Sequence, residues 1–460
     1  MSDSFLRAEA LFQQGNQLMA AGDDAAALQC FSQALIYEPE LAEAHANLGF
    51  LQAKAGCLQE AEHSYRRALA LLPQNLQIHL NLGALLMESK RFDESEAIYR
   101  HALAFAPQSA PLRSNLGVLL ACCKREEEAE RCYRTALALD PDYGKARFNL
   151  SYVLLRQGRF DEGWRCLEAR HDYGALSRHF TFPRWQGEAL AGKTVVIGFE
   201  AGHGDMIQFC RYATQLKAMG AARVSIICHP GLKTLFATLA DVDEVLSFHD
   251  TIPQSGWDYW TPPLSLPGLC HTRLDSIPAP LPYLAADPAK ARQWRLRLTG
   301  SGKHVGLVWK GNPLFENDAD RSLPGLNCLA PLSSVSGIQL VSLQKGAGED
   351  ETLCLCPPAG LNVLPLGAEL QDFADTAALI SALDLVISVD TAVAHLAGAL
   401  GKPCWLLLPD YRTDWRWLTG RSDSPWYPDV MRLFRQPAGG GWHPVITELT
   451  GCLQDWVMAG

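Results

Sequence analysis

The sequence predicts an α-helical solenoid followed by α/β structure in two doubly wound lobes. Three observations predict it: a 34-residue period through roughly the first 170 residues, an alternation of strand and helix signals after about residue 190, and a proline-rich stretch at 277–288 that splits this alternation in two. At 460 residues the chain is too long for one core, so two or three domains are expected.

The period is carried by columns. Pro39, Pro73, Pro107 and Pro141 stand 34 apart, as do Gly15, Gly49, Gly83 and Gly117, with Ser151 at the next step. Ala34, Ala68, Ala102 and Ala136 form a third column, and Phe31, Tyr65, Tyr99 and Tyr133 an aromatic fourth. The small residue lets two helices cross closely, the aromatic fills the space between them, and the proline starts the next unit's turn. Four full repeats and a fifth begun near residue 142 follow. These columns resemble tetratricopeptide repeats over roughly residues 8–170, which implies a superhelix with a concave face lined by the first helix of each repeat.

One further column concerns function. Asn47, Asn81, Asn115 and Asn149 each stand two residues before the small-residue position, with Gln13 in the equivalent place of the first repeat. A carboxamide offers both donor and acceptor, so it can pair with a peptide group whatever the side chains. Helices spaced ~8–10 Å apart would present one asparagine to about every third residue of an extended chain advancing ~3.3–3.6 Å per residue. Bonding to the neighbouring helix is the alternative. A similar asparagine ladder belongs to the O-linked N-acetylglucosamine transferase family, whose repeat array this one resembles.

Composition excludes several classes. The net charge is −10, from 18 Lys+Arg against 23 Asp+Glu in residues 1–172 and 22 against 27 in 173–460, so neither part offers the basic surface that nucleic acid requires. The start, Met1-Ser-Asp-Ser-Phe-Leu-Arg-Ala-Glu, carries charges where a signal peptide needs an apolar stretch, and no apolar run approaches the ~20 residues of a membrane span. Fourteen cysteines show no C-x-x-C pair, since Cys122-Cys123 and Cys354-Leu355-Cys356 have other spacings; reduced thiols in a cytoplasmic protein are expected.

After the turn-rich segment Phe182-Pro-Arg-Trp-Gln-Gly187-Glu, strand signals at 194–200 and 223–228 flank a helix signal at 205–219. A second series follows residue 300, with strands at 304–309, 338–343, 385–389 and 404–408. Such alternation predicts parallel sheets, whose ligands bind beyond the carboxyl ends of the strands. Three loops lie at such ends. Glu200-Ala-Gly-His-Gly-Asp205 combines a tight turn with a helix start, Lys310-Gly-Asn-Pro with Asp318-Ala-Asp-Arg321-Ser322 supplies cations, and Asp390-Thr391-Ala392-Val-Ala-His395 opens a helix whose free N–H groups suit a diphosphate.

Together these segments resemble the heptosyltransferase-like (family 9) glycosyltransferases of the two-domain B fold, especially bacterial members fused to tetratricopeptide repeats. The resemblance covers residues 175–440 or so. It rests on Asp390-Thr391…His395…Gly401-Lys402-Pro403, on Trp309-Lys310-Gly311-Asn312-Pro313 and on Gly204-Asp205. The first loop departs from fused relatives at Ala201 and His203. The resemblance implies an inverting, metal-independent transfer with no cofactor, the nucleotide-sugar being a co-substrate. Lys310, Asn312, Arg321, Ser322, Gln344, Asp390, Thr391, Ala392 and His395 are the expected donor-binding residues. Asp205 is the expected base, with His203 as the alternative because its ordinary pKa lies near neutral pH.

The expected organisation is a repeat superhelix over 1–172, a linker at 173–190, an acceptor-side lobe at 191–300, a nucleotide-sugar lobe at 301–440 and a C-terminal helix at 441–460. The expected function is transfer of a sugar to a protein captured by the repeats. Flagellin or another surface protein is a target that the resemblance to fused bacterial members implies. The rivals are a glycan- or lipopolysaccharide-building transferase with recruiting repeats, and a scaffold that has lost activity.

Overall fold

The computed structural model describes residues 3–170, 178–298, 300, 302–352 and 360–459. Cys354, Cys356 and positions 173–177 of the expected linker lie outside the described residues. Every described cysteine is unpaired. Among the described residues no helix is long and apolar enough to cross a membrane.

The chain forms two compact units, Met1–Val153 and Leu154–Gly460. The first is a stack of antiparallel helix pairs: α1 (Asp3–Ala20) with α2 (Asp24–Tyr37), α3 (Ala42–Lys54) with α4 (Leu58–Leu71), α5 (Leu76–Glu88) with α6 (Phe92–Phe105), and α7 (Ala110–Cys122) with α8 (Glu126–Leu139). Helix α9 (Gly144–Arg156) opens the fifth pair and spans the boundary between the units.

The columns now have contacts. A Cβ built on Gly15, Gly49, Gly83 or Gly117 would fall 2.7, 2.9, 2.3 or 2.6 Å from the ring of Phe31, Tyr65, Tyr99 or Tyr133, so the glycine and aromatic columns are two halves of one close helix crossing. The prolines occupy the turns between pairs. Helix starts are closed locally where a suitable residue is present: Asn75 accepts from the Ile78 amide and Ser109 from that of Leu112. A ladder of half-buried ion pairs also keeps the period, with Arg91 joining Glu62 and Glu94 and Arg125 joining Glu96 and Glu128.

The second unit holds two wholly parallel sheets. The first contains β1 (Thr194–Ile197), β2 (Arg223–Cys228), β3 (Glu244–Ser247) and β4 (Tyr259–Thr261) in the order β3-β2-β1-β4. The second contains β5 (Lys303–Val308), β6 (Ile338–Ser342), β7 (Val363–Leu364), β8 (Leu385–Val389), β9 (Cys404–Leu408) and β10 (Met431–Arg435) in the order β10-β9-β8-β5-β6-β7. The strand order therefore reverses between β1 and β4 in one sheet and between β5 and β8 in the other. At such reversals successive crossovers leave in opposite directions and open a crevice. The three loops singled out above follow β1, β5 and β8. The C-terminal helix Trp442–Met458 closes one face of the second sheet, with Val445, Ile446, Leu449 and Leu453 packed on a core that includes Val305, Leu307 and Ile387.

Helix α10 (Phe160–Leu167) keeps the repeat period in sequence but packs within the second unit. Its Trp164 ring lies against Trp415 and Trp426, and its indole N–H donates to the Thr272 carbonyl at 2.8 Å. Just beyond it the buried Arg170 is paired with the equally buried Glu200 in the loop after β1, at 2.6 Å, and donates to Ser265 at 2.7 Å. The compact second unit thus begins before the expected boundary at 172.

Candidate active site

The loop after β1 leads into the helix His203–Phe209, whose first turn is fixed by Asp205. One carboxylate oxygen accepts from the Gly202 amide at 2.9 Å, and the other meets the Arg416 guanidinium. Arg416 is buried, and its remaining donors go to Gln208 at 2.6 Å and to both oxygens of Asp414 at 3.0 and 3.1 Å. A pair bonded this way keeps Asp205 oriented. With about a quarter of its side chain exposed and up to four lone-pair directions on its two oxygens, Asp205 can still accept from a further hydroxyl.

The second strand-end helix, Ala392–Ala399, packs directly on the first. A Cβ on Gly204 would lie 2.9 Å from the His395 ring, so glycine is required there by the approach of the two helices. His395 is buried, stacked on Trp417 at 5.2 Å between centroids, and hydrogen-bonded through Nδ1 to the Tyr427 hydroxyl at 2.8 Å. Burial, with Arg416 and Arg211 nearby, holds its pKa well below the usual range, so the ring is neutral. It supports the crossing of the two helices and does not face an open mouth.

Asp390 directly follows β8, with its carboxylate turned to the Trp417 indole N–H at 2.9 Å. Burial first, and then the nearby Asp414, push its pKa up to about 6 against the opposing effect of that hydrogen bond. Thr391 occupies the N-cap position in an extended conformation, and its hydroxyl lies 3.1 Å from that of Ser388. Ala392 is the first helical residue.

The loop after β5 is more self-contained than its charges suggest. Lys310 is paired with Glu351 at 2.6 Å, and Arg321 with Asp318 at 3.0 Å while lying 4.3 Å over the Phe315 ring. Ser322 accepts from the Gly311 amide at 2.8 Å and donates to Asp318 at 3.0 Å. Asn312 closes its own turn by accepting from the Leu314 amide at 3.0 Å. Gln344, almost wholly buried, accepts from the Trp309 and Lys310 amides and donates to the Lys310 and Ala347 carbonyls. Its carboxamide is thereby spent on the backbone, where it holds the end of β5 in shape.

His203 stands in a stack, 4.3 Å from His229 on one side and 5.1 Å from Phe373 on the other. Burial and then the neighbouring His229 push its pKa down to about 4, which leaves it a weak base near neutrality. Asp205, Asp390, Thr391, Ala392 and His395 are brought together; Lys310, Asn312, Arg321, Ser322 and Gln344 form a second group after β5.

Sequence reasoning missed Arg416, Asp414 and Trp417, which join the two strand-end helices. Their local signal is only a charged and aromatic run, Asp414-Trp-Arg-Trp417, with no spacing to mark it. It also missed Arg211, which is buried and donates to the carbonyls of Gln208, Pro278 and Trp426 and to the Tyr283 hydroxyl, all within 3.1 Å.

Known families match stretches in both parts of the chain. Tetratricopeptide repeat families match residues 15–56, 52–117, 110–143 and 127–163, and Glycosyltransferase family 9 (heptosyltransferase) matches residues 355–406, the stretch that carries β8 and the Asp390 loop. The chain thus resembles tetratricopeptide-repeat proteins in its first part and family 9 glycosyltransferases over one stretch of its second.

It is similar to Protein FlbA of Caulobacter vibrioides, 32% identical over 294 residues that cover 59% of this chain and 48% of that protein. The chain thus spans about half the length of the curated relative it matches. Among solved structures, one of Pseudomonas aeruginosa pilF is 22% identical, covers 36% of this chain and 77% of its own, and has a TM-score of 0.34. A thermophilic tetratricopeptide-repeat protein of Thermus thermophilus is 26% identical, covers 37% of this chain and 96% of its own, and has a TM-score of 0.32.

Proposed function

We propose that the chain is a glycosyltransferase that moves a sugar from a nucleotide-sugar to a protein side chain with inversion and without a metal, in the cytoplasm, the repeats capturing the polypeptide. The observation that carries this reading is the direct packing of the two strand-end helices, with Asp205 of one held by Arg416 beside the Asp390–Thr391 start of the other. Acceptor and donor elements of such a reaction need that proximity, since attack requires the hydroxyl and the anomeric carbon to meet at about 3–3.5 Å.

Asp205 takes the proton of the attacking hydroxyl in this reading, and His203, largely neutral and weakly basic, lines the acceptor side. The departing diphosphate lies at the Thr391–Ala392 helix start, where N–H groups and the helix dipole stabilise the growing negative charge. Lys310, Asn312, Arg321 and Ser322 line the donor side, the two cations becoming available to the diphosphate if it displaces Glu351 and Asp318.

The asparagine column supports polypeptide capture. Asn47, Asn81, Asn115 and Asn149 are all half-buried in register on α3, α5, α7 and α9. Asn47 donates to Asn16 at 2.8 Å and Asn81 accepts from Gln77 at 2.8 Å, which leaves further donor or acceptor positions on each carboxamide. A surface protein such as flagellin is a target suggested by the resemblance to fused bacterial transferases.

The deciding experiment measures nucleotide release from candidate nucleotide-sugars with and without a protein acceptor, together with the acceptor's intact mass. Release coupled to a mass increase of one sugar supports the reading. Release coupled only to a saccharide or lipid-linked acceptor assigns the chain to glycan building, and no release with any donor leaves a scaffold. Changing the four asparagines to alanine should raise KM for a protein and spare a short peptide, each lost hydrogen bond being worth about 0.5–1.5 kcal/mol.

A further inference from the structure

The repeat array contains its own control for what its helix junctions need, because residues 34 apart occupy equivalent places. At the junction of α4, α5 and α6 the space is filled: His79 is wholly buried, and its ring lies 5.7 Å from His101 and 5.3 Å from Phe105. At the next junction, of α6, α7 and α8, the equivalents of His79, Ile98 and His101 are Arg113, Cys132 and Thr135. There a cavity of about 550 Å³ opens, lined by these three residues with Leu116, Leu120 and Arg131.

The charges of this cavity are not balanced within it. Arg100 at its rim is paired with Glu96 at 2.6 Å, and Glu128 is taken by Arg125 at 2.7 Å. Arg131 makes no ion pair among the described residues, and the buried Nε of Arg113 has no hydrogen-bond partner among them. The contrast with His79 is chemical. Burial lowers the pKa of His79, so that ring sheds its proton and sits neutral in the filled junction. A guanidinium has no such escape, because it keeps its charge at every accessible pH. A buried cationic N–H left unbonded is costly, and an anion entering the cavity removes that cost.

We infer that the cavity between α6, α7 and α8 is a binding site for a small organic anion, a phosphate or carboxylate held by Arg113 and Arg131 on an apolar body seated against Leu116 and Leu120. Its volume falls within the range of ~300–1,000 Å³ usual for small-molecule pockets. Positions 113, 116 and 120 lie on the side of α7 turned away from Asn115, given ~100° of rotation per residue, so the site is distinct from the asparagine column. It also lies in a different compact unit from the Asp205 and Asp390 loops.

The test is calorimetric titration of the full chain with phenyl phosphate and with benzoate, which share the apolar ring and differ in the anion. Saturable binding of either by the wild type, weakened about tenfold or more in Arg131→Gln, is expected from the loss of one charge-assisted contact. The probe that binds more tightly identifies phosphate or carboxylate as the ligand's head group. Arg131 is exposed at the mouth, so its replacement is compatible with folding even if Arg113→Gln is not. The double replacement Cys132→Ile and Thr135→His restores the residue types of the filled junction and should abolish binding while leaving the thermal midpoint equal or higher. Absence of saturable binding of both probes at millimolar concentration, or unchanged affinity in Arg131→Gln and in the filled variant, overturns the inference.

Discussion

The two compact units use the same interactions at different ranges. In the repeat array, partners recur at fixed short separations: Gly83 meets Tyr99 sixteen positions on, and Arg91 meets Glu62 and Glu94 at separations of 29 and 3. In the α/β unit the decisive partners are remote, Asp205 and Arg416 being 211 residues apart and Arg170 and Ser265 95 apart. Burial differs as well. The array's arginine pairs are partly open to water and repeated, whereas Arg170–Glu200 is all but excluded from it. Repetition distributes stability over many weak equivalent contacts, whereas a buried pair such as Arg170–Glu200 makes the fold sensitive to the loss of one partner.

Five perturbations sharpen or break this contrast. The largest effect is expected for Asp205→Asn, which should lower transfer by ~10²–10⁴-fold, the usual contribution of a general base, while nucleotide affinity survives. Full turnover in this variant with loss in His203→Ala would exchange their roles.

Arg170→Met comes next. It strands Glu200 in the interior, and removal of one partner of a buried pair costs about 3–5 kcal/mol, read as a lower urea midpoint of the second unit. Burial already raises the Glu200 pKa, and without Arg170 that rise grows. The loss should therefore shrink as pH falls and Glu200 takes up a proton. A midpoint unchanged from wild type at neutral pH would show the pair to be dispensable.

Gly83→Ala should cost about 1–3 kcal/mol through overpacking, because the added methyl falls on Tyr99. Tyr99→Leu in the same chain should recover part of it. If Gly83→Ala melts like wild type, the glycine and aromatic columns are not one joint.

Asp390→Asn tests a smaller term. The folded-state pKa is raised from 3.8 to about 6, so between these values the folded chain binds a proton that the unfolded chain does not, and stability falls as pH rises through that window. Asparagine removes the cost, so the variant should gain stability at about pH 7.5 and nothing below about pH 4. Equal differences at both pH values would contradict a raised Asp390.

The smallest effect belongs to Arg91→Ala. Its pairs with Glu62 and Glu94 are partly open to water, which screens the Coulomb attraction while side-chain ordering offsets it, so the unfolding midpoint should scarcely move. A loss rivalling that of Arg170→Met would erase the distinction between the units.

The comparison also explains what could be read in advance. The helix pairs, the closely crossing glycine column, the parallel sheets and the three strand-end loops were all legible, since each rests on residues near one another in sequence or on a simple period. That the loops after β1, β5 and β8 lie at the carboxyl ends of strands was legible because a parallel strand must end at the same edge as its neighbours. The cations of Lys310 and Arg321 were legible but their partners were not, because Glu351 and Asp318 pair with them only in the folded chain. Gln344 and His395 were assigned to the donor by resemblance, and folding turns the first to the backbone and the second toward Gly204.

By itself, then, the sequence determined the period, the element types and which loops gather at the sheet edges, because these follow from local sterics, hydrophobic spacing and glycine or proline placement. Tertiary structure alone decided that Arg416 and Trp417 link the Asp205 and Asp390 loops, that α10 packs with the second unit, that His203 is weakly basic, and that one repeat junction is hollow where its neighbour is filled. The physical reason is range: a charge's partner, its solvent exposure and the space around it depend on segments that no pattern in the linear chain ties together.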